Sequence, residues 1–98
     1  MNIPLIVRPE AEEDIRDAFD WYESQTAGLG AEFLRCIEAS FFIISRNPEM
    51  FAKSHRDIRR TLVRRFPYGV FFIFEKNRIA VLAVMHAKRH PRRWQNRS

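Results

Sequence analysis

Side chains that bind phosphate or carboxylate groups are concentrated in the second half of the chain. Residues 51–98 carry 13 lysines and arginines against two carboxylates, a net charge of +11, whereas residues 1–50 carry four arginines against ten carboxylates, a net charge of −6. Such a division favours a basic face that meets a polyanion or an acidic protein. The alternative is that the basic residues only solvate exposed strands and a tail. We predict a continuous basic surface made of Arg60, Arg64, Lys88, Arg89 and Arg92.

Two histidines lie close in sequence to this basic cluster, and histidine is the residue type that ordinarily titrates near neutral pH. His86 and His90 have the residue type needed for a general acid or base, although a histidine that ends a strand is more often a hydrogen-bonding surface residue. Their spacing of four residues would suit a metal on a helix, but Pro91 and the lack of nearby carboxylates argue against one. We therefore predict no metal site, and nothing else in the sequence implies a cofactor.

Trp94 and Cys36 are the remaining residues with distinctive chemistry. Trp94 is a predicted binding residue that would stack on a nucleic-acid base or on a partner side chain; the alternative is that it folds back on the domain. Cys36 is the single cysteine, so an internal disulfide is excluded and a packing role is favoured. A domain without cross-links, with no secretory signal pattern and no apolar run of roughly 18 residues, is expected in the cytoplasm and away from membranes.

The elements that position these residues begin with a short apolar segment, residues 3–7, which is predicted to be a strand and where Pro4 favours an edge or strand-start position. A first helix is predicted from about residue 9, because proline suits the first helical turn and carboxylates follow it. Ala27, Gly28 and Gly30 interrupt the helical pattern. Apolar residues mark one face of this helix: Ile15, Phe19 and Tyr22.

A second helix begins near Leu29 and ends at Asn47 and Pro48, so the two helices are expected to form an antiparallel hairpin. From Asp57 the pattern changes to that of strands. We predict strands over residues 59–66, 70–74 and 79–85, joined by short turns that make them antiparallel neighbours.

The order strand, helix, helix, strand, strand, strand predicts an α+β domain, with the helical hairpin packed on one face of an antiparallel sheet. With 98 residues the chain is the size of one domain. We predict a single domain over residues 1–98 with a partly ordered basic tail from about residue 86.

The sequence resembles the RelE/ParE family of toxins from type II toxin–antitoxin systems, the plasmid-stabilisation type, over nearly its whole length. Four segments together carry the resemblance: RPEAEEDIRDAFDWY, RNPEMF, IRRTLVRRFPYGVFFIF and IAVLAVMHAKRHPRRW. The resemblance implies a growth-inhibiting toxin that is neutralised by a cognate antitoxin, whose acidic segment wraps the toxin to form a hetero-oligomer. A basic sheet with an apolar helical groove suits an acidic, amphipathic segment that folds on binding.

The family divides into two activities. One branch cleaves messenger RNA on the ribosome without metal, which requires a general acid or base and cationic stabilisation of the transition state. The candidate residues for that chemistry are Arg64, His86, Arg89 and His90. The other branch inhibits DNA gyrase by binding. The nuclease branch often has an arginine where this chain has Gly69, so gyrase inhibition is favoured and the ribosome-dependent endonuclease is the alternative.

Overall fold

The computed structural model describes residues 2–89 and 91–97, which contain five strands and two long helices. No helix in those residues combines the length and apolar character needed to cross a bilayer. The elements follow in chain order: β1 (Leu5–Val7), α1 (Pro9–Gln25), α2 (Leu29–Arg46), a 3-10 turn (Pro48–Met50), β2 (Lys53–His55), β3 (Ile58–Leu62), β4 (Tyr68–Glu75), β5 (Arg78–His86) and α3 (Pro91–Gln95).

The strands form one sheet in the order β1-β5-β4-β3-β2. Strands β2 to β5 are antiparallel neighbours, as predicted from their short connections. Strand β1 instead runs parallel to β5, so the sheet is mixed rather than wholly antiparallel. The reason is topological: β1 and β5 are joined through the helices and three intervening strands, and a long crossover permits parallel pairing. The predicted α+β class is confirmed, and β1 is an edge strand.

The helical hairpin covers one face of the sheet. Side chains of both helices form a core with alternating residues of β4 and β5, and the fully buried members include Phe33, Ile37, Ile44, Val70, Phe72, Ile79 and Val81. A smaller cluster lies on the opposite face, beneath α3. It contains Ile58, Phe71, Leu82, Ala83, Met85 and Trp94. The sheet is therefore buried on both faces along β4 and β5, which accounts for the continuous apolar runs in these strands.

The two helices approach closely where α2 begins. A Cβ placed on Gly30 would lie 2.8 Å from the carbonyl oxygen of Phe19, so only glycine allows this approach. The Glu23 carboxylate accepts hydrogen bonds from the backbone N–H groups of Gly28 (2.8 Å) and Gly30 (2.9 Å). A carboxylate from α1 thereby satisfies donors at the start of α2 and fixes the angle of the hairpin.

Three local features differ from the sequence-based expectations. The short strand β2 was not predicted, because its three polar residues show no alternating pattern. Strand β3 ends at Leu62 rather than near Phe66, and β4 already begins at Tyr68, inside the predicted turn. The tail beyond β5 folds into α3, with Trp94 buried. The predicted turn after β4 is confirmed: Lys76 and Asn77 both have positive φ, as a tight two-residue hairpin turn requires.

Replacing Gly30 with alanine is expected to destabilise the domain by about 1–3 kcal/mol, because the added methyl group forces the two helices apart. Chemical denaturation followed by circular dichroism measures this loss. Ala31→Ser on the exposed side of the same helical turn is the matched control and should change stability by less than about 0.5 kcal/mol. Equal stability of the two variants would show that the close approach at Gly30 is not a constraint.

Candidate functional site

The site is organised around the part of β5 that β1 does not cover. The three residues of β1 pair with β5 only from Ile79 to Val81. Beyond that point the edge of β5 is completed by side chains. Asp14 of α1 accepts a hydrogen bond from the Val84 N–H (3.0 Å), and Arg97 donates to the Leu82 carbonyl (3.2 Å).

Asp14 and Arg97 also form an ion pair with each other. The Arg97 guanidinium donates to both carboxylate oxygens of Asp14, at 2.6 Å and 3.3 Å. The side chains are only 11% (Asp14) and 20% (Arg97) exposed, so this pair is screened less than a surface pair. The pair joins the first helix to the C-terminal segment, 83 residues away in sequence.

A cleft of about 460 Å³ opens beside this ion pair, where β4 begins and β5 ends. One wall is a face of α1 and the other is the segment that follows β5. Residues from both walls and from the strand ends line it: Asp14, Asp17, Ala18, Trp21, Tyr22, Pro67, Tyr68, Val84, Met85, His86, Arg89 and Arg93.

The floor of the cleft is aromatic. The rings of Tyr22 and Tyr68 meet edge to face with centroids 6.0 Å apart, and Tyr68 lies 6.2 Å from the His86 ring. Burial raises the pKa of both tyrosines above the usual 10.0, and the nearby Arg89 cation partly opposes this rise. Both phenols are therefore neutral at physiological pH and keep a hydroxyl donor.

The two walls carry opposite charges. Arg89 and Arg93 are exposed on one wall, and among residues 2–89 and 91–97 neither forms an ion pair. Asp14 and Asp17 are on the other wall, where Asp14 is engaged with Arg97 and Asp17 has no cationic partner within the described ranges. Trp21 lies at the rim of the cleft and is 57% exposed.

The structure brings some of the predicted site residues together. His86 and Arg89 share the cleft. Lys88 is exposed beside them, and its backbone N–H donates to His86 Nδ1 at 3.2 Å. Arg92 is exposed at the start of α3. His90 lies outside the described residues.

The other predicted residues lie elsewhere. Arg64 lines a separate groove on the outer side of α2, with Arg35 and Cys36. Arg60 is paired with Phe71 across β3 and β4, so it is on the α3 side of the sheet. The five predicted basic residues therefore do not line one cavity, and a continuous basic surface stays a prediction.

Trp94 folds back on the sheet, the alternative noted from the sequence. It is 5% exposed and stacks on Phe71 with ring centroids 4.2 Å apart. Its indole N–H is buried and has no acceptor in the part of the chain that the structure describes. A binding role for Trp94 stays a prediction, but little of its ring is accessible to a ligand.

Sequence reasoning missed most of the cleft. Arg93, Tyr68 and the α1 face were not identified as site residues, although Asp14, Asp17 and Trp21 recur at helical spacing. That spacing is the one sequence signal that these three polar and aromatic side chains share a face of α1, beside its apolar stripe. Nothing local in the sequence connects this face with Arg93, because the contact arises only from the fold.

The family assignment rests on the sequence as a whole. Residues 5–91 match the family model described as the ParE toxin of the type II toxin–antitoxin system parDE. The chain belongs to the ParE toxin family. No curated protein matches this ParE toxin significantly in sequence.

Solved structures share the fold of this ParE toxin. A chain of a chromosomal ParDE toxin–antitoxin system from P. aeruginosa superposes with a TM-score of 0.76 at 15% identity, covering 88% of this chain and 97% of the other. A chain of the toxin–antitoxin complex RelBE2 from Mycobacterium tuberculosis gives a TM-score of 0.61 at 16% identity, covering 88% and 99%. At these identities the likeness establishes the fold of the toxin.

Replacing Arg97 with methionine is expected to cost about 2–4 kcal/mol, because Asp14 loses its counter-ion and the Leu82 carbonyl loses a donor. Urea denaturation measures the loss. Lys53→Met is the matched control: it breaks the exposed Lys53–Asp57 pair and should cost no more than about 1 kcal/mol. A loss at Arg97 no larger than at Lys53 would contradict a structural role for the buried pair.

The only two tyrosines of the chain line the cleft, so tyrosinate absorbance reports on this site alone. We expect a midpoint above pH 10.0 in the native toxin and near 10.0 in denaturant. Because the folded pKa is the higher one, the tyrosine contribution to stability is present below pH 10 and is lost as the pH rises through the folded pKa.

Arg89→Gln should raise this midpoint further, since the arginine cation lowers both pKa values. Arg78→Gln, at the far end of β5, is the control and should leave it unchanged. A tyrosine titration midpoint at or below pH 10.0 in the native toxin would be inconsistent with this geometry, and so would a midpoint that is unchanged in Arg89→Gln.

Proposed function

We propose that this ParE toxin inhibits growth by binding DNA gyrase, with no cleavage chemistry of its own, and that a cognate antitoxin neutralises it. The observation that carries the proposal is the environment of Gly69. The family resemblance aligns this residue with the position at which the nuclease branch often has an arginine. Gly69 is buried on the α3 side of the sheet.

The surroundings of Gly69 leave little room for a catalytic side chain. A Cβ placed there would lie 3.2 Å from the ring of Phe71 and 3.4 Å from Cδ of Arg60. The Phe71 ring is itself covered by Trp94. A missing cationic contact to a transition state typically costs about 3–4 kcal/mol, or 100-fold to 1,000-fold in rate. These facts support a toxin that acts by binding, and the ParE description of the matching family agrees.

The alternative is a ribosome-dependent mRNA endonuclease, and one observation favours it. His86 and Arg89 share a cleft with two neutral phenols, which is a set of groups able to transfer protons and stabilise a phosphorane. The candidate Arg64 is not part of that set, because it lies in the groove beside α2.

An antitoxin partner is supported by the surface of α2. Phe42 and Ile43 are 55% and 47% exposed, and the Arg46 guanidinium lies 5.4 Å from the centre of the Phe42 ring. Apolar side chains bordered by arginine suit an acidic, amphipathic segment, because burial slows release and charge speeds the encounter. The similar solved structures come from a ParDE system and a RelBE2 toxin–antitoxin complex.

Brief expression of the toxin without antitoxin distinguishes the two activities. We expect DNA breaks, an SOS response and intact messenger RNA, and the purified toxin should inhibit DNA supercoiling by gyrase. Coexpression of a cognate antitoxin, to be sought as a short acidic reading frame adjoining the toxin gene, is the control and should restore growth. Codon-positioned cuts in translated messages, with supercoiling unaffected, would overturn the proposal in favour of the endonuclease.

A further inference from the structure

The cleft combines three chemical features and is separate from the α2 surface proposed for the antitoxin. One wall carries two arginines, the other carries a carboxylate without a cationic partner among the described residues, and an indole is exposed at the rim. A ligand that satisfies all three has an anionic end, an aromatic ring and hydrogen-bond donors. We propose that the cleft binds a free 5′-mononucleotide, and this inference does not depend on the gyrase proposal.

The phosphate would bind at the arginine wall. Arg89 and Arg93 are exposed, and within residues 2–89 and 91–97 no carboxylate neutralises them. Arginine is well suited to phosphate because its planar fork donates two parallel hydrogen bonds. Tyr22 and Tyr68 add neutral hydroxyl donors on the floor, near enough to Arg89 for its charge to act on both. Arg89 and Arg93 therefore line one wall, and the two phenols lie on the floor within the electrostatic range of Arg89.

The base and the sugar would lie against the α1 wall. Trp21 is 57% exposed and contacts Tyr22 edge to face at 5.1 Å, an arrangement that leaves indole surface for stacking. Base–aromatic stacking tolerates any base, so no preference among the four is expected. The Asp17 carboxylate is an acceptor for ribose hydroxyl or base amino groups. A volume of about 460 Å³ is within the usual range for small-ligand sites.

The carboxylate wall argues against an acidic peptide as the occupant. Such a peptide would meet the arginines favourably, but it would also bring carboxylates close to Asp17, which has no cationic partner among the described residues. Like charges at short range oppose binding. A mononucleotide confines its negative charge to one end and presents donors at the other, so its polarity matches that of the cleft.

Tryptophan fluorescence offers a direct measurement, because the chain has two tryptophans and only Trp21 is exposed. The purified full-length toxin would be titrated with AMP, GMP, CMP and UMP, and binding confirmed by calorimetry. We expect saturable quenching by all four. Adenosine and inorganic phosphate should each bind at least about tenfold more weakly, since each lacks one half of the contacts. Trp21→Phe should remove the optical signal while calorimetry still detects binding.

Two arginine variants test the assignment of the phosphate end. Arg89→Gln and Arg93→Gln should each weaken AMP binding by about tenfold or more, the effect of losing a charge-assisted hydrogen bond. Arg78→Gln is the matched control, because this exposed arginine is at the opposite end of β5, about 26 Å from His86 at ~3.3 Å per residue. Circular dichroism melting curves establish that each variant is folded.

Three outcomes would overturn the inference. The first is that no mononucleotide binds at millimolar concentration. The second is that affinity is the same in the Arg89, Arg93 and Arg78 variants, which would indicate general attraction to a basic protein. The third is that an acidic peptide or single-stranded RNA displaces AMP at much lower concentration, which would identify a different class of ligand. The measurement contains neither gyrase nor antitoxin, so it is separable from the test of growth inhibition.

Discussion

The ion pair between Asp14 and Arg97 satisfies backbone groups on the edge of β5 that the sheet leaves without a partner strand. Strand β5 is nine residues long, yet its parallel neighbour β1 covers only three of them. The remaining edge has backbone donors and acceptors that must be satisfied, because an unpaired buried group costs about as much as a lost hydrogen bond. Asp14 accepts from one of these groups and Arg97 donates to another, while each neutralises the other.

This arrangement fixes both α1 and the C-terminal segment against the sheet. Asp14 fixes α1 against the edge of β5, and Arg97 holds the C-terminal segment at the same point. Between β5 and Arg97 the chain must therefore return across the sheet, which places Trp94 on Phe71 and leaves Arg89 and Arg93 facing the cleft. The ion pair between Asp14 and Arg97 thus holds α3 against one face of the sheet and positions the arginine wall of the cleft beside α1.

Local patterns in the sequence predicted the helical hairpin, the antiparallel strands and the turn at Lys76 and Asn77, because periodicity and turn residues act over a few positions. They did not predict the short polar strand β2, which depends on pairing with β3. Nor did they predict the parallel pairing of β1, the docking of α3 or the cleft. The parallel pairing follows from the long crossover between β1 and β5. The docking of α3 and the cleft depend on contacts such as that between Asp14 and Arg97, which are distant in sequence.

The two faces of the sheet provide different surfaces for function. On the α3 side, Phe71, Trp94 and the aliphatic stem of Arg60 fill the space around Gly69, so a longer side chain at that position would meet packed atoms. Beside α1, the cleft keeps charged side chains in contact with solvent, and the raised pKa values of Tyr22 and Tyr68 keep their hydroxyl groups neutral. Neither phenol is therefore a general base near neutral pH, and both can donate a hydrogen bond to an anion. Any proton abstraction in the cleft falls to His86, the residue that would carry it in the alternative endonuclease activity.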